Sequence, residues 1–131
     1  MPIELVILGW GGVLLLVQIF LAAHLKTKQY GTDWNLGPRD EEMPPLNPVA
    51  ARAARAQANL AETFPIAVAA LAGVAIAGRT SDVTAIGACL WLAMRVVYVP
   101  IYLAGIKGLR TLVFLISIVG LALVVWPLLA A

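Results

Sequence analysis

Two long runs without a charged residue constrain this chain more than any other feature of its sequence. Residues 5–25 and residues 111–131 are each 21 positions without Asp, Glu, Lys or Arg. A helix of about 20 apolar residues crosses a hydrocarbon core about 30 Å thick. Residues 83–106 form a third run, interrupted only by Arg95, and residues 63–78 end a fourth helical stretch without charge. The sequence therefore predicts an all-α integral membrane protein, a bundle of four transmembrane helices.

The predicted boundaries follow from the residues that start and stop helices. A polar loop, residues 26–47, holds two glycines, three prolines and most of the acidic residues. Asn47 followed by Pro48 is typical of a helix N-terminus. The first run has no basic segment before it, so we expect a retained span rather than a cleaved signal peptide. The helices are predicted at approximately residues 3–25, 48–78, 83–106 and 109–131, in a single domain covering residues 1–131.

The composition agrees with this assignment and excludes several other classes of protein. The chain has 62% hydrophobic and 12% charged residues, whereas soluble domains have about 45–50% and about 25%. A soluble enzyme is therefore not expected. The formal net charge is +2 and there is one cysteine, Cys89, so neither a nucleic-acid partner nor a disulfide scaffold is indicated.

The basic residues predict how the bundle is oriented. Only Arg79 lies at the end of the bundle opposite the 26–47 loop. The others cluster at the first and third loops: Lys26, Lys28, Arg39, Arg52, Arg55, Arg95, Lys107 and Arg110. Because basic residues favour cytoplasmic loops, we expect the 26–47 loop to be cytoplasmic and both termini to face away from the cytoplasm.

Two helical faces carry polar residues that a bilayer disfavours. On the second predicted helix, separations of three, four and three positions place four of them within a sector of roughly 80°. They are Arg52, Arg55, Asn59 and Glu62. A second row on the third helix has separations of three and four, and consists of Arg95, Tyr98 and Tyr102. A charge near the bilayer centre costs about 2.5 to 3.5 kcal/mol, so both rows should face the interior of the bundle or its cytoplasmic rim.

Two interpretations of these rows remain open. In the structural interpretation, Glu62 pairs with Arg55 or Arg95, and the tyrosines lie at the membrane interface. In the functional one, the excess of arginine binds an anion, because guanidinium groups form paired hydrogen bonds with carboxylates and phosphates. Glu62 would then accept a single ammonium group of the same ligand.

Arg110 and Thr111 open the fourth predicted helix at the same end of the bundle. The N-terminus of a helix carries partial positive charge. A guanidinium, a hydroxyl and this dipole together would stabilise a thiolate or an oxyanion. The alternative is that Arg110 only anchors the helix end on the cytoplasmic side.

Two segments resemble the superfamily of membrane-associated proteins in eicosanoid and glutathione metabolism, MAPEG. Residues 55–65, RAQANLAETFP, resemble its helix-two signature as found in leukotriene C synthase and microsomal glutathione transferases. Residues 95–111, RVVYVPIYLAGIKGLRT, are similar to its second motif, an arginine, paired tyrosines and a following arginine. The loop sequence GTDWNLGPRDE resembles the bacterial branch. The resemblance covers nearly the whole chain.

This resemblance implies a homotrimer that binds glutathione, as co-substrate and without a metal, between neighbouring subunits near the cytoplasmic face. One subunit would hold the polar groups of the peptide through Arg55, Asn59 and Glu62, with Gln57 nearby and Arg52 in the same row. The adjoining subunit would line the site through Arg95, Tyr98 and Tyr102. Arg110 would stabilise the thiolate, with Thr111 at a position where one branch has serine.

The implied activity is that of a membrane-bound glutathione S-transferase, which conjugates glutathione to lipophilic electrophiles from the bilayer. Glutathione peroxidase activity toward lipid hydroperoxides is compatible with the same site, and so is a role in detoxification. The branch implies the bacterial inner membrane. Two other functions remain as alternatives: a non-catalytic lipid-binding or scaffold member of the family, and a small multidrug transporter that uses Glu62. Nearby arginines would repel the cationic drugs of such a transporter.

Overall fold

The computed structural model describes residues 1–130 and consists of helices joined by short turns and one longer loop. Four of the helices are long and apolar enough to cross a membrane, which confirms the predicted all-α architecture with four spans. In chain order, the helices are α1 (Ile3–Tyr30), α2 (Thr32–Leu36), α3 (Pro48–Ile76), α4 (Asp82–Ala104) and α5 (Leu109–Leu129).

The helix ends follow local backbone chemistry. The side chain of Asn47 accepts a hydrogen bond from the backbone N–H of Ala50, and Pro48 occupies the first turn of α3. At α4, Ser81 and Thr84 satisfy each other's backbone N–H groups in a capping box. Gly105 ends α4 in a left-handed conformation, with φ 70°. Glycine has no Cβ atom, so it adopts this left-handed conformation without the steric strain that other residues have there.

The loop end of the bundle differs from the sequence prediction in two respects. The first helix continues to Tyr30, beyond the predicted end near residue 25, because residues 26–30 include neither glycine nor proline. The predicted loop also contains the short helix α2. Tyr30 and Gln29 donate hydrogen bonds to the backbone carbonyls of Pro44 and Pro45. The returning chain is therefore held against the end of α1.

The core of the bundle is built around Trp91 on α4, which is 1% exposed. A Cβ atom on Gly11 of α1 would lie 2.7 Å from the Trp91 ring, so this glycine makes room for the indole. On the other side, α4 and α5 approach each other at Gly87 and Gly120. A Cβ atom on either glycine would lie 2.6 Å from the backbone carbonyl oxygen of the other. Small residues permit this close backbone packing inside a bilayer.

We expect Gly87→Ala to lower the free energy of unfolding by about 1 to 3 kcal/mol, because the new methyl group meets backbone rather than a flexible side chain. Denaturation of the detergent-solubilised protein, followed by circular dichroism, measures this. Gly12→Ala is the matched control, since a Cβ atom at Gly12 meets nothing within 4 Å. Equal stability of the two variants would show that the α4–α5 contact is not as close as described.

Candidate functional site

Tyr102, near the end of α4, lies at the centre of a cluster of cationic and aromatic side chains. Arg55 of α3 donates from Nε to the Tyr102 hydroxyl at 3.2 Å. The guanidinium carbon of Arg110, on α5, lies 4.8 Å from the centroid of the Tyr102 ring. The ring of Tyr98 meets that of Tyr102 edge to face, with 5.4 Å between centroids. Three helices thus contribute side chains to one cluster.

The arrangement follows from chain direction. α3 begins, α4 ends and α5 begins at the same end of the bundle, so the first turns of α3 and α5 lie beside the last turns of α4. Ala56 of α3 is 1% exposed and belongs to the same buried cluster as Tyr98, Tyr102 and Val113. A small side chain at Ala56 lets the tyrosine rings pack closely against α3.

Arg52 makes a different contact from Arg55. Its Nη1 donates to the backbone carbonyl oxygen of Leu103 at 3.3 Å. Its guanidinium carbon would lie 2.8 Å from a Cβ atom on Gly105. A cation at the C-terminus of a helix satisfies carbonyl groups and opposes the negative end of the dipole. Arg52 therefore ties the start of α3 to the end of α4, which positions the cluster.

Arg95 is buried beneath the cluster rather than on its surface. It is 1% exposed, and its guanidinium carbon lies 4.5 Å from the ring centroid of Tyr98 and 5.5 Å from that of Phe114. None of its side-chain nitrogens has a hydrogen-bond partner among residues 1–130. Arg95 is therefore not hydrogen-bonded to Glu62 in the described chain. It supports the ring of Tyr98 through cation–π contacts.

Four of the predicted site residues are not brought into the cluster. Glu62 and Thr111 are exposed. Asn59 is half-buried, and its Oδ1 atom is buried without a hydrogen-bond partner in the described part of the chain. Gln57 lies on another side of α3, where it lines a cavity together with Lys26 and Arg39.

The structure also shows a buried polar residue that the sequence analysis did not select. Gln18 of α1 is 2% exposed, and neither polar atom of its side chain has a partner among residues 1–130. The signal was present in the sequence, because Gln18 and His24 are the strongly polar residues of the uncharged run 5–25. A buried amide in a membrane-spanning helix is costly unless it is hydrogen-bonded.

The cluster is suited to bind an anion. Arg55 and Arg110 are exposed at its surface, and Arg52 and Arg95 add positive charge from the sides and from below. Guanidinium groups present planar arrays of donors that match carboxylates. No group of three His, Cys, Asp or Glu residues that could hold a metal ion occurs within residues 1–130.

These features define an integral, multi-pass membrane protein that carries a cluster of arginine and tyrosine side chains at one end of four spanning helices. The model of the MAPEG family matches residues 7–130. The chain therefore belongs to the MAPEG family, as its two motifs predicted. None of the curated proteins and none of the solved structures matches it significantly.

Family membership gives the protein a membrane-associated role related to glutathione or eicosanoids. The family contains glutathione transferases and also members without catalytic activity. The choice between these two depends on the chemistry of the cluster.

The contact of Arg52 with the end of α4 is testable with two glycines that each follow the end of a helix. Gly105 follows α4 and Gly78 follows α3, and both have positive φ, 70° and 67°, so an alanine at either costs about 1 to 2 kcal/mol in backbone strain. Only at Gly105 would the methyl group also displace Arg52, because a Cβ atom at Gly78 meets nothing within 4 Å. We expect Gly105→Ala to be more destabilising than Gly78→Ala by about 0.5 to 1.5 kcal/mol in chemical denaturation, the contribution of one hydrogen bond. Equal losses would mean that this contact contributes nothing.

Proposed function

We propose that the protein is a membrane-bound glutathione S-transferase that conjugates glutathione to lipophilic electrophiles entering from the bilayer. The observation that carries the proposal is the convergence of Arg55, Arg110 and Tyr102 at one end of the bundle. Glutathione has two carboxylates, one ammonium group and a thiol. The arginines around Tyr102 match the carboxylates of this ligand, and the exposed guanidinium of Arg110 matches its thiolate.

Arg110 has the most direct chemical role in this proposal. An ordinary thiol has a pKa of about 8.5, and a nearby guanidinium lowers the pKa of a thiol because it stabilises the thiolate. A shift of one or two units raises the thiolate fraction at neutral pH about tenfold or more. The thiolate sulfur then forms a bond to the electrophilic carbon, and the leaving group departs with its electron pair. The thiol proton passes to water.

Arg55 and Tyr102 would bind the polar groups of the peptide. In the structure, Arg55 donates a hydrogen bond to Tyr102 of the same chain. The pair therefore does not require two subunits. The family resemblance had implied that Arg55 and Tyr102 come from adjoining subunits. Arg95 would act as a positioning residue, since it is buried behind Tyr98. Asn59, Glu62, Gln57 and Thr111 remain proposed ligand contacts.

We also propose a homotrimer in the bacterial inner membrane, with the 26–47 loop on the cytoplasmic side. Large apolar side chains such as Trp10, Phe20 and Trp126 are 60% to 66% exposed on the isolated chain. Such side chains require lipid or a neighbouring subunit around them. Glutathione peroxidase activity toward lipid hydroperoxides is a further reaction of the same proposed thiolate.

A second candidate function is lipid binding without catalysis. An open groove of about 550 Å³ lies beside α1 and α4, and is lined by apolar residues that include Ile3, Ile86 and Leu90. A protein that presents a lipid would need such a surface and would not need an activated thiol. The transporter alternative has less support, because Glu62 is exposed on the surface of α3 rather than enclosed within the bundle, where a carboxylate that carries a cation across the membrane is expected.

The first test is conjugation of glutathione to an electrophilic aromatic chloride by the detergent-purified protein. We expect Arg110→Ala to reduce the rate about tenfold or more, because the thiolate fraction falls when the guanidinium is removed. Lys107→Ala is the matched control, since Lys107 is an exposed cation three positions before Arg110, in the turn that precedes α5. Full activity of Arg110→Ala, with its oligomeric state unchanged, would refute the role of Arg110.

The second test is isothermal titration calorimetry with glutathione in the absence of electrophile. The transferase should bind glutathione saturably, and Arg55→Ala should weaken this binding about tenfold or more, because a hydrogen bond to a charged group contributes about 1.5 to 3 kcal/mol. Arg79→Ala, at the opposite end of the bundle, is expected to bind as the wild type does. The absence of saturable binding in the wild type would favour the lipid-binding candidate.

A further inference from the structure

Two strongly polar side chains are enclosed in the interior of the bundle without a hydrogen-bond partner. Gln18 of α1 is 2% exposed and Arg95 of α4 is 1% exposed. Within residues 1–130, both polar atoms of the Gln18 amide and all three nitrogens of the Arg95 guanidinium are unpartnered. A buried amide without a partner is unfavourable, and a buried charge is more so. Such groups indicate that something in the interior satisfies them.

The packing of α1 against α4 places the two side chains at the same depth. Two contacts fix the register of these helices, and each joins residues 80 positions apart: Thr84 donates a hydrogen bond to Glu4, and Trp91 lies against Gly11. The second contact lies seven positions after the first on both helices, so α1 and α4 run in the same direction. A further step of seven positions places Gln18 at the level of Tyr98.

Arg95 extends into this layer. Its guanidinium carbon lies 4.5 Å from the centroid of the Tyr98 ring. Gln18 lies on the buried face of α1 together with Gly11 and Ala22, and α1 packs against α3 and α4. The amide and the guanidinium therefore face the interior at one level of the bundle, although they make no direct hydrogen bond.

The two groups are chemically complementary. A guanidinium only donates hydrogen bonds, whereas the carbonyl oxygen of a glutamine side chain accepts them. A water molecule that accepts from Arg95 and donates to Oε1 of Gln18 would satisfy both groups without direct contact. Around the guanidinium, Phe114 is apolar, and the hydroxyl of Ser117 donates to the backbone carbonyl of Phe114.

We propose that Gln18 is the hydrogen-bond acceptor of Arg95 inside the membrane, through a shared buried water molecule, and that this pair holds the guanidinium beneath Tyr98. Gln18 is then a positioning residue, because it acts on the ligand site through Arg95 and the ring of Tyr98. The pairing itself is independent of the proposed transferase activity. Its effect on glutathione binding rests on that proposed function.

Asn59 of α3 is the other candidate acceptor, since its Oδ1 atom is also buried and unpartnered in the described part of the chain. The difference in burial favours Gln18. Asn59 is half-buried, so its amide also reaches molecules outside the bundle. Gln18 is enclosed, and its amide can be satisfied only within the interior.

The first experiment is a double-mutant cycle on the full chain in detergent, measured by the midpoint of thermal unfolding. We expect Gln18→Leu to lower the midpoint by about 4 °C, because Arg95 loses its acceptor. In the Arg95→Leu background, Gln18→Leu should leave the midpoint unchanged or raise it, because an apolar replacement of both members of a buried polar pair is often neutral or stabilising. Ser117→Ala is the matched control. Its hydroxyl bonds within its own helix, so its effect should not depend on Arg95.

The second experiment replaces the acceptor conservatively. A carboxylate accepts the same hydrogen bonds and carries the opposite charge, so Gln18→Glu should keep the wild-type midpoint while Arg95 is present. In the Arg95→Leu background it should be less stable than Gln18→Leu, since the carboxylate is then buried without a counter-charge. In calorimetry, Gln18→Leu should weaken glutathione binding about three- to tenfold, and Gln18→Glu should bind within about twofold of the wild type.

Several results would overturn the proposal. An equal loss from Gln18→Leu with and without Arg95 would show that the two residues are not coupled. Coupling of Arg95 to Asn59→Leu instead would assign the acceptor to α3. Equal midpoints of Gln18→Glu and Gln18→Leu would show that no acceptor is needed at this position.

The positioning role has its own criterion. Unchanged glutathione binding in Gln18→Leu, beside a wild type that binds saturably, would refute that role. Failure of the transferase proposal is distinguishable from these results. In that case the wild type would show no saturable binding of glutathione, while the coupling of Gln18 to Arg95 in thermal unfolding would persist.

Discussion

The high cost of placing charge in a hydrocarbon core governs the arrangement of this protein. Charged groups near the bilayer centre are unfavourable by several kcal/mol, and backbone groups there must be satisfied within helices. The arginines of the spanning helices are accordingly found near the helix ends or inside the bundle, whereas Glu62, in the middle of α3, is exposed. Arg52, Arg55 and Arg110 lie at helix ends, and Arg95 is enclosed between aromatic rings. Because these arginines are restricted to one end of the bundle and its interior, they form the cationic cluster around Tyr102.

Helix packing then decides which of these charges meet. The turn at residues 105–108 is short and keeps the start of α5 beside the end of α4, so Arg110 lies over the ring of Tyr102. Farther along, the two helices approach each other closely at Gly87 and Gly120. α3 lies between two environments. One side of it directs Arg55 toward Tyr102, and another directs Gln57 toward the cavity beside α1. A single helix therefore contributes to both polar sites of the chain.

Much of the fold was predictable because bilayers impose a simple rule on sequence. Two uncharged runs of 21 residues identified the first and last spans. The apolar stretches around Arg95 and up to Gly78 indicated the other two, and Asn47 with Pro48 indicated the start of α3. The prediction was less accurate where solvent competes with the protein for backbone hydrogen bonds. The end of α1 and the helix α2 belong to this region, and their structure depends on contacts of Gln29 and Tyr30 with the returning chain. Those contacts join residues far apart in sequence, so local patterns do not reveal them.

The sequence by itself determined the number of spans, the family and the positions of the two polar rows, since these depend on hydropathy, spacing and local motifs. It could not decide which members of a row share a site. Helical spacing placed Arg95, Tyr98 and Tyr102 on one face, but only the tertiary structure shows that Arg95 lies beneath the rings while Tyr102 meets Arg55 and Arg110. The reason is physical: a helical period fixes direction around one axis, whereas burial and contact depend on how neighbouring helices pack against it.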